Sequence, residues 1–188
     1  SKGHDHNMRY LEALRKEIES YYKKYHQVDT IYIGGGTPSA LSHDELIFLF
    51  ESLTMFHPIE YTIEVNPESY DHQKGQLFKA YGINRVSLGV QTFHQKHLER
   101  LNRKHTNTMV YETIASLKSL DIHNINVDLI YALEHQTVED LHQDIDTIIK
   151  LDIPHVSAYS LIIEEKTFFS HQLKRNKFVK TDEDTEAT

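Results

Sequence analysis

Two hydrophobic patterns alternate along the 188 residues: apolar positions spaced three or four apart, and short dense runs of β-branched and aromatic residues. Leu11, Leu14, Ile18, Tyr21 and Tyr22 recur at helical spacing and predict an amphipathic helix over 8–25, with His4-Asp5-His6 before it as a mobile polar end. Val28 to Ile33 reads as a first strand. Ser42, with Glu45 three residues on, forms a capping box and starts a helix to about Met55, with Leu46, Leu49, Phe50 and Leu53 inward. Tyr61 to Val65 is a second strand, closed by Asn66-Pro67. A helix over 70–81 stops at Gly82, and a third strand over 84–88 stops at Gly89.

The second half repeats the scheme. A short helix covers 95–101, and a longer one starts at Thr106 or Asn107 and runs to Leu120 with Val110, Ile114 and Leu117 inward. Ile125 to Ile130 is a fourth strand. A helix over 137–151 turns Leu141, Ile145, Ile148 and Ile149 inward, and a fifth strand begins at His155. Strand starts near 28, 61, 84, 125 and 155 mark a repeating β-then-α unit of roughly thirty residues, the size of a βαβ crossover. The fold class is therefore α/β, with a parallel sheet and helices outside it. A (β/α) barrel, complete or partial, is the leading reading, and an open doubly wound sheet is the alternative. Residues 1–170 form one core, and 171–188 a polar extension or frayed acidic tail.

Composition narrows the function classes. A net charge of −8 argues against a nucleic-acid surface, which needs clustered Lys and Arg. No apolar run reaches membrane-spanning length and no secretory pattern opens the chain, so no membrane span and a cytoplasmic location are expected. The absence of cysteine removes disulfides, cysteine nucleophiles and thiolate-bound metal from this chain. The fourteen histidines are scattered, and His94 and His97 alone share a helical spacing; solvated surface positions explain them better than a metal site.

The first strand ends in Gly34-Gly35-Gly36-Thr37-Pro38-Ser39. Three glycines free the backbone to bend and let a ligand approach, while Pro38 stiffens the end of the loop. A tight turn without a ligand is the plainer alternative. The other strands also finish in polar elements: Glu64 with Asn66, then Ser87 and Gln91, then Asp128, then Ser157, Tyr159 and Ser160. Glu64 and Asp128 stand inside apolar runs, where a carboxylate is costly unless it is paired or bonded. In barrels these strand ends share one face, and that face carries the chemistry. The acceptors suit ligand hydroxyls and ammonium groups, and Arg103 suits a carboxylate. A phosphate site fits poorly, since two acids repel phosphate.

Five ordered segments resemble one known family. They are Tyr32-Ile33-Gly34-Gly35-Gly36-Thr37-Pro38-Ser39, Glu64-Val65-Asn66-Pro67-Glu68, Arg85-Val86-Ser87-Leu88-Gly89-Val90-Gln91-Thr92-Phe93, Leu101-Asn102-Arg103-Lys104-His105 and Asn126-Val127-Asp128-Leu129-Ile130-Tyr131. They are similar to the radical S-adenosylmethionine (SAM) proteins related to oxygen-independent coproporphyrinogen III oxidase. The Tyr-Ile before the glycines and the Glu-Val-Asn-Pro form point to the heme-chaperone branch.

The resemblance implies a partial (β/α)6 barrel, a 4Fe–4S cluster held by a Cys-x3-Cys-x2-Cys loop after the first barrel strand, and SAM bound to that cluster. An electron donor reduces the cluster and SAM is split to a 5′-deoxyadenosyl radical. The oxidase then decarboxylates propionates, whereas the chaperone branch binds heme and hands it on. By motif, Gly35, Gly36 and Thr37 line the methionine end of SAM, and Arg103 pairs with its carboxylate. Glu64, Gln91 and Asp128 hold its polar groups and Ile162 meets the adenine through its backbone.

Three departures stand out. The cysteine loop is missing, so a fragment lacking the first strand and inactive alone is expected. Leu133-Glu134-His135-Gln136-Thr137 stands where the family has Leu-Pro-Gly-Gln-Thr. A carboxyl-terminal tetrapyrrole domain is not seen. A genuine coproporphyrinogen oxidase and a cluster-free α/β binding module remain as alternatives.

Overall fold

The computed structural model describes residues 2–161. Helices α1 (Lys2–Lys24), α2 (His43–Glu51), α3 (His72–Ala80), α4 (Gln95–Arg100), α5 (Asn107–Ser119) and α6 (Val138–Lys150) alternate with strands β1 (Thr30–Ile33), β2 (Glu60–Val65), β3 (Arg85–Gln91), β4 (Asn124–Tyr131) and β5 (His155–Ser160). The five strands form one sheet in the order β1-β2-β3-β4-β5, and every neighbouring pair is parallel. A doubly wound sheet reverses its order at a switch point. This sheet does not, so the barrel-type winding holds and the open alternative falls.

Strand alternation separates the two faces. Ile63, Val65, Val86, Leu88, Ile125, Val127 and Leu129 point outward and are buried under the helices with Phe50, Phe78, Ile114, Leu117 and Ile148. Each such side chain contributes roughly 1.5–3 kcal/mol when fully buried. The opposite face carries Glu64, Ser87, Asn126, Asp128 and Ser157, the last four joined by side-chain hydrogen bonds. The sheet thus has an apolar outside and a polar inside.

The expected capping box on α2 and the start of α5 after Thr106 are present, and two further caps join them. Ser42 and Glu45 form a complete capping box on α2, Asp71 caps α3, Thr106 caps α5, and Thr137 with Asp140 forms a second capping box on α6. Several boundaries differ from the sequence reading. Helix α1 takes in His4-Asp5-His6, because nothing before Met8 interrupts helical hydrogen bonding except the tolerated Gly3. Helix α2 ends at Glu51, where Ser52 Oγ donates to Phe48 O and Thr54 Oγ1 donates to Glu51 O, so the last carbonyls are closed off. Arg15 of α1 caps the same end, donating to Ser52 Oγ at 2.7 Å and Phe48 O at 3.0 Å. Strand β3 passes through Gly89 to Gln91 with a register shift between them. On α6, Ile148 is buried but Ile145 and Ile149 are exposed, because Asp140 and Asp144 take the inward positions. Among the described residues no helix is long and apolar enough to cross a membrane.

Candidate functional site

The glycine loop begins where β1 runs out, and its shape depends on Glu64. A Cβ at Gly34 would lie 2.8 Å from Glu64 Oε1 and 2.5 Å from the Tyr32 ring, so only glycine lets that carboxylate come so close. Glu64 accepts from Tyr32 Oη at 2.7 Å and from the Gly35 N–H at 3.1 Å. Gly35 has φ +113°, which disfavours any side chain. A Cβ on Gly36, by contrast, would meet nothing within 4 Å. Burial, the bond to Glu64 and that carboxylate's charge push the Tyr32 phenol up to about 12, so it stays a donor at neutral pH.

The adjoining strands add a row of amides and one acid. Asp128 accepts from Ser87 Oγ at 3.0 Å and from Asn126 Nδ2 at 2.7 Å. Asn126 in turn accepts from Ser157 Oγ at 3.1 Å and contacts His155 Nδ1. Burial raises the Asp128 pKa above the usual carboxylate range, and the Glu64 charge adds to that, against the opposing pull of its hydrogen bonds. Gln91 ends β3 with φ 71°, an uncommon conformation for a side-chain-bearing residue. Gly89 makes room beside it, since a Cβ there would lie 2.7 Å from Asn66 Oδ1 and 3.0 Å from Gln91 Nε2.

Arg103 arrives from the connection between α4 and α5. Its N–H donates to Leu98 O at 2.9 Å, and its guanidinium makes no ion pair among the described residues. Behind it, the fully buried His105 bonds Val90 O at 3.0 Å, fixing this connection against the end of β3.

These parts enclose one cleft of about 480 Å³ at the carboxyl ends of the strands. Gly35, Gly36, Thr37, Glu64, Gln91, Arg103 and Asp128 all line it. The sequence reading singles out these seven together with Ile162, which lies outside the described residues.

The sequence model of the radical SAM superfamily matches residues 1–148. The chain belongs to the radical SAM superfamily. Curated relatives agree: the heme chaperone HemW of Lactococcus lactis subsp. lactis (strain IL1403) is 38% identical over 182 residues, covering 95% of this chain and 48% of that protein. HemW of Bacillus subtilis (strain 168) is 36% identical, covering 89% and 46%. The chain spans about half the length of the curated relatives it matches. Among solved structures, the radical SAM enzyme coproporphyrinogen III oxidase (HemN) from Escherichia coli superposes with a TM-score of 0.86 at 23% identity, over 100% of this chain and 44% of that one. The archaeal Methanocaldococcus infernus Elp3 gives 0.68 at 22% identity, over 88% and 45%. These likenesses show the radical SAM fold, and the five parallel strands are consistent with a partial barrel.

The radical SAM family implies SAM and a 4Fe–4S cluster. The cleft fits SAM in size and chemistry. Its volume is in the range of small-molecule sites, and its donors and acceptors match an amino acid, a sulfonium and a ribose. The open space over Gly36 leaves room at the loop backbone. The cluster is different. This chain has no cysteine, and among the described residues no group of three or more His, Asp or Glu is placed to hold a metal ion. The residues present do not supply the thiolates such a cluster needs.

Sequence reasoning passes over two residues that hold the cleft's acids in place. Tyr32 enters the sequence reading as strand propensity and as part of the family resemblance but with no role at the site, although alternation puts it on the face of Gly34 and Glu64. Asn126 is hidden in an apolar run, two residues before Asp128 and so on the same face. Period-two spacing is the available signal for both.

Proposed function

We propose that this chain forms the SAM-holding core of a radical SAM protein of the heme-chaperone branch. The observation that carries the reading is the convergence on one cleft of seven residues drawn from separate strand ends and β-α connections. Their chemistry is complementary to SAM, part by part. Arg103 pairs with the amino-acid carboxylate. The Gly35–Thr37 backbone lies along the methionine, Glu64 and Asp128 offset the positive charge of the ammonium and sulfonium, and Gln91 and Asp128 take the ribose hydroxyls. When bound, SAM supplies the reactive organic group, and these residues orient it and exclude water.

The heme assignment rests on the curated heme-chaperone relatives, at 38% and 36% identity. In that reading heme, or a related tetrapyrrole, and an electron donor are partners of the whole protein, which works in the cytoplasm.

Calorimetric titration of the chain with SAM tests the core of the reading. Saturable binding of SAM, with no binding of ATP, is the expected result, because Glu64 and Asp128 attract a cationic nucleoside and repel a triphosphate. Uptake of ATP, or no heat with SAM, contradicts it.

A further inference from the structure

Lys74 lies on α3 and does not line the cleft, yet it is only 8% exposed. Its ammonium donates to two backbone carbonyls, Ser39 O and Ser69 O, each at 2.6 Å. Those carbonyls belong to two single turns of 3-10 helix, Pro38–Ala40 after the glycine loop and Pro67–Ser69 after β2. The same two turns are joined through side chains. Ser39 Oγ and Ser69 Oγ are 2.5 Å apart, and Ser39 Oγ accepts the Asn66 N–H at 3.0 Å. On the cleft side of this seam, Asn66 Nδ2 faces Thr37 Oγ1 at 3.5 Å. The lysine backbone is itself fixed, its N–H donating to Asp71 Oδ1 at 2.9 Å.

A buried ammonium is costly to place, and burial pushes its pKa down against the pull of Asp71. Helical packing alone gives no reason for a lysine at this position. Bridging two separate stretches of backbone does, because a tetrahedral ammonium has three donors and a neutral side chain of this length has none so arranged. One of the bridged stretches carries Gly35, Gly36 and Thr37, and the other comes just after Glu64 and Asn66.

We propose that Lys74 is a positioning residue for the SAM cleft: by bridging the Ser39 and Ser69 carbonyls it sets the separation of the glycine loop from the end of β2. The role rests on the SAM reading of the cleft. A lysine that merely stabilises the fold would leave the affinity of the folded protein unchanged once removed. A positioning lysine sets that affinity through the loop.

The test compares the full chain with Lys74→Met and Lys74→Arg. SAM affinity is measured by calorimetry, and backbone amide hydrogen exchange is followed in the ligand-free proteins. Lys74→Met is expected to weaken SAM binding about tenfold, equivalent to about 1.4 kcal/mol. It is also expected to speed exchange in residues 34–39 and 66–70 more than in α5 and α6. Lys74→Arg, which keeps charge and donors, restores affinity to within about threefold. If Lys74→Met does not fold, Lys74→Gln takes its place with the same expected direction. A parent chain that binds SAM while the neutral variant binds it equally well overturns the role of Lys74 alone. So does a uniform rise in exchange across the molecule, or an arginine variant that fails to rescue. A parent chain that takes up no SAM overturns the SAM reading and, with it, the role of Lys74.

Discussion

Asp128 shows how one cleft residue, in the proposed SAM-holding role, serves binding at the expense of stability. Burial raises its folded-state pKa above the unfolded value of about 3.9. A raised acid favours folding below its unfolded pKa, and that contribution is lost as pH rises through the folded value. Its charged form therefore opposes folding, while Ser87 and Asn126 hold it in place. Replacement of Asp128 by Asn should weaken SAM binding about tenfold, by loss of a charge partner worth roughly 1–3 kcal/mol. The melting temperature at pH 7 should stay level or rise, and the gain over the parent should shrink in acid. Gly36 offers a complementary probe. An added methyl meets nothing in the protein but enters the cleft, so Gly36→Ala should keep the parent melting temperature while SAM affinity falls. Residue roles of this kind are legible in sequence wherever an acid or a glycine breaks an apolar run, as at Glu64, Asp128 and Gly34. They are not legible at Tyr32, whose aromatic ring satisfies strand propensity equally well.

Among the elements, α6 departs furthest from its pattern. Its apolar residues predict a stripe over Ile145 and Ile149, yet the helix buries Asp144 at 1% exposure instead. Asp144 accepts from Thr92 Oγ1 at 2.8 Å and from the Phe93 N–H at 2.7 Å, so it ties α6 to the connection after β3. A neighbouring cluster does the same: Thr137, Lys96 and His97 hold Asp140 well below the usual carboxylate range, although burial alone would raise it. Polar bonding of this sort outweighs the hydrophobic period, and periodicity does not register it. Asp144→Ala should cost about 3 kcal/mol in chemical denaturation, because two buried donors lose their acceptor.

The turn before α6 carries Glu134-His135, without the Pro-Gly pair that the family resemblance implies. It forms nonetheless: Gln136 N–H donates to Leu133 O at 2.9 Å, and Glu134 pairs with Arg100. His135 occupies φ 59°, a conformation better suited to glycine. His135→Gly should therefore raise stability by about 0.5–1 kcal/mol in the same assay.

At the scale of the molecule, sheet order is the most legible property, since a β-then-α repeat leaves few ways to wind a parallel sheet. The common face of the cleft comes with that order. Seven candidate residues far apart in sequence meet because they lie at strand ends or in the connections after them, and all these ends open on the same side. Contacts between elements stay hidden from the sequence, such as the bond from Arg15 to Ser52 and the bridge made by Lys74, which depend on how helices dock rather than on local pattern. All of these roles depend on the shared cleft. Backbone and side-chain NMR during a SAM titration tests it most directly. Shifts are expected to concentrate at Gly35, Gly36, Thr37, Glu64, Gln91, Arg103 and Asp128, and to saturate together with a single affinity. Shifts confined to another surface, or scattered without saturation, would contradict it.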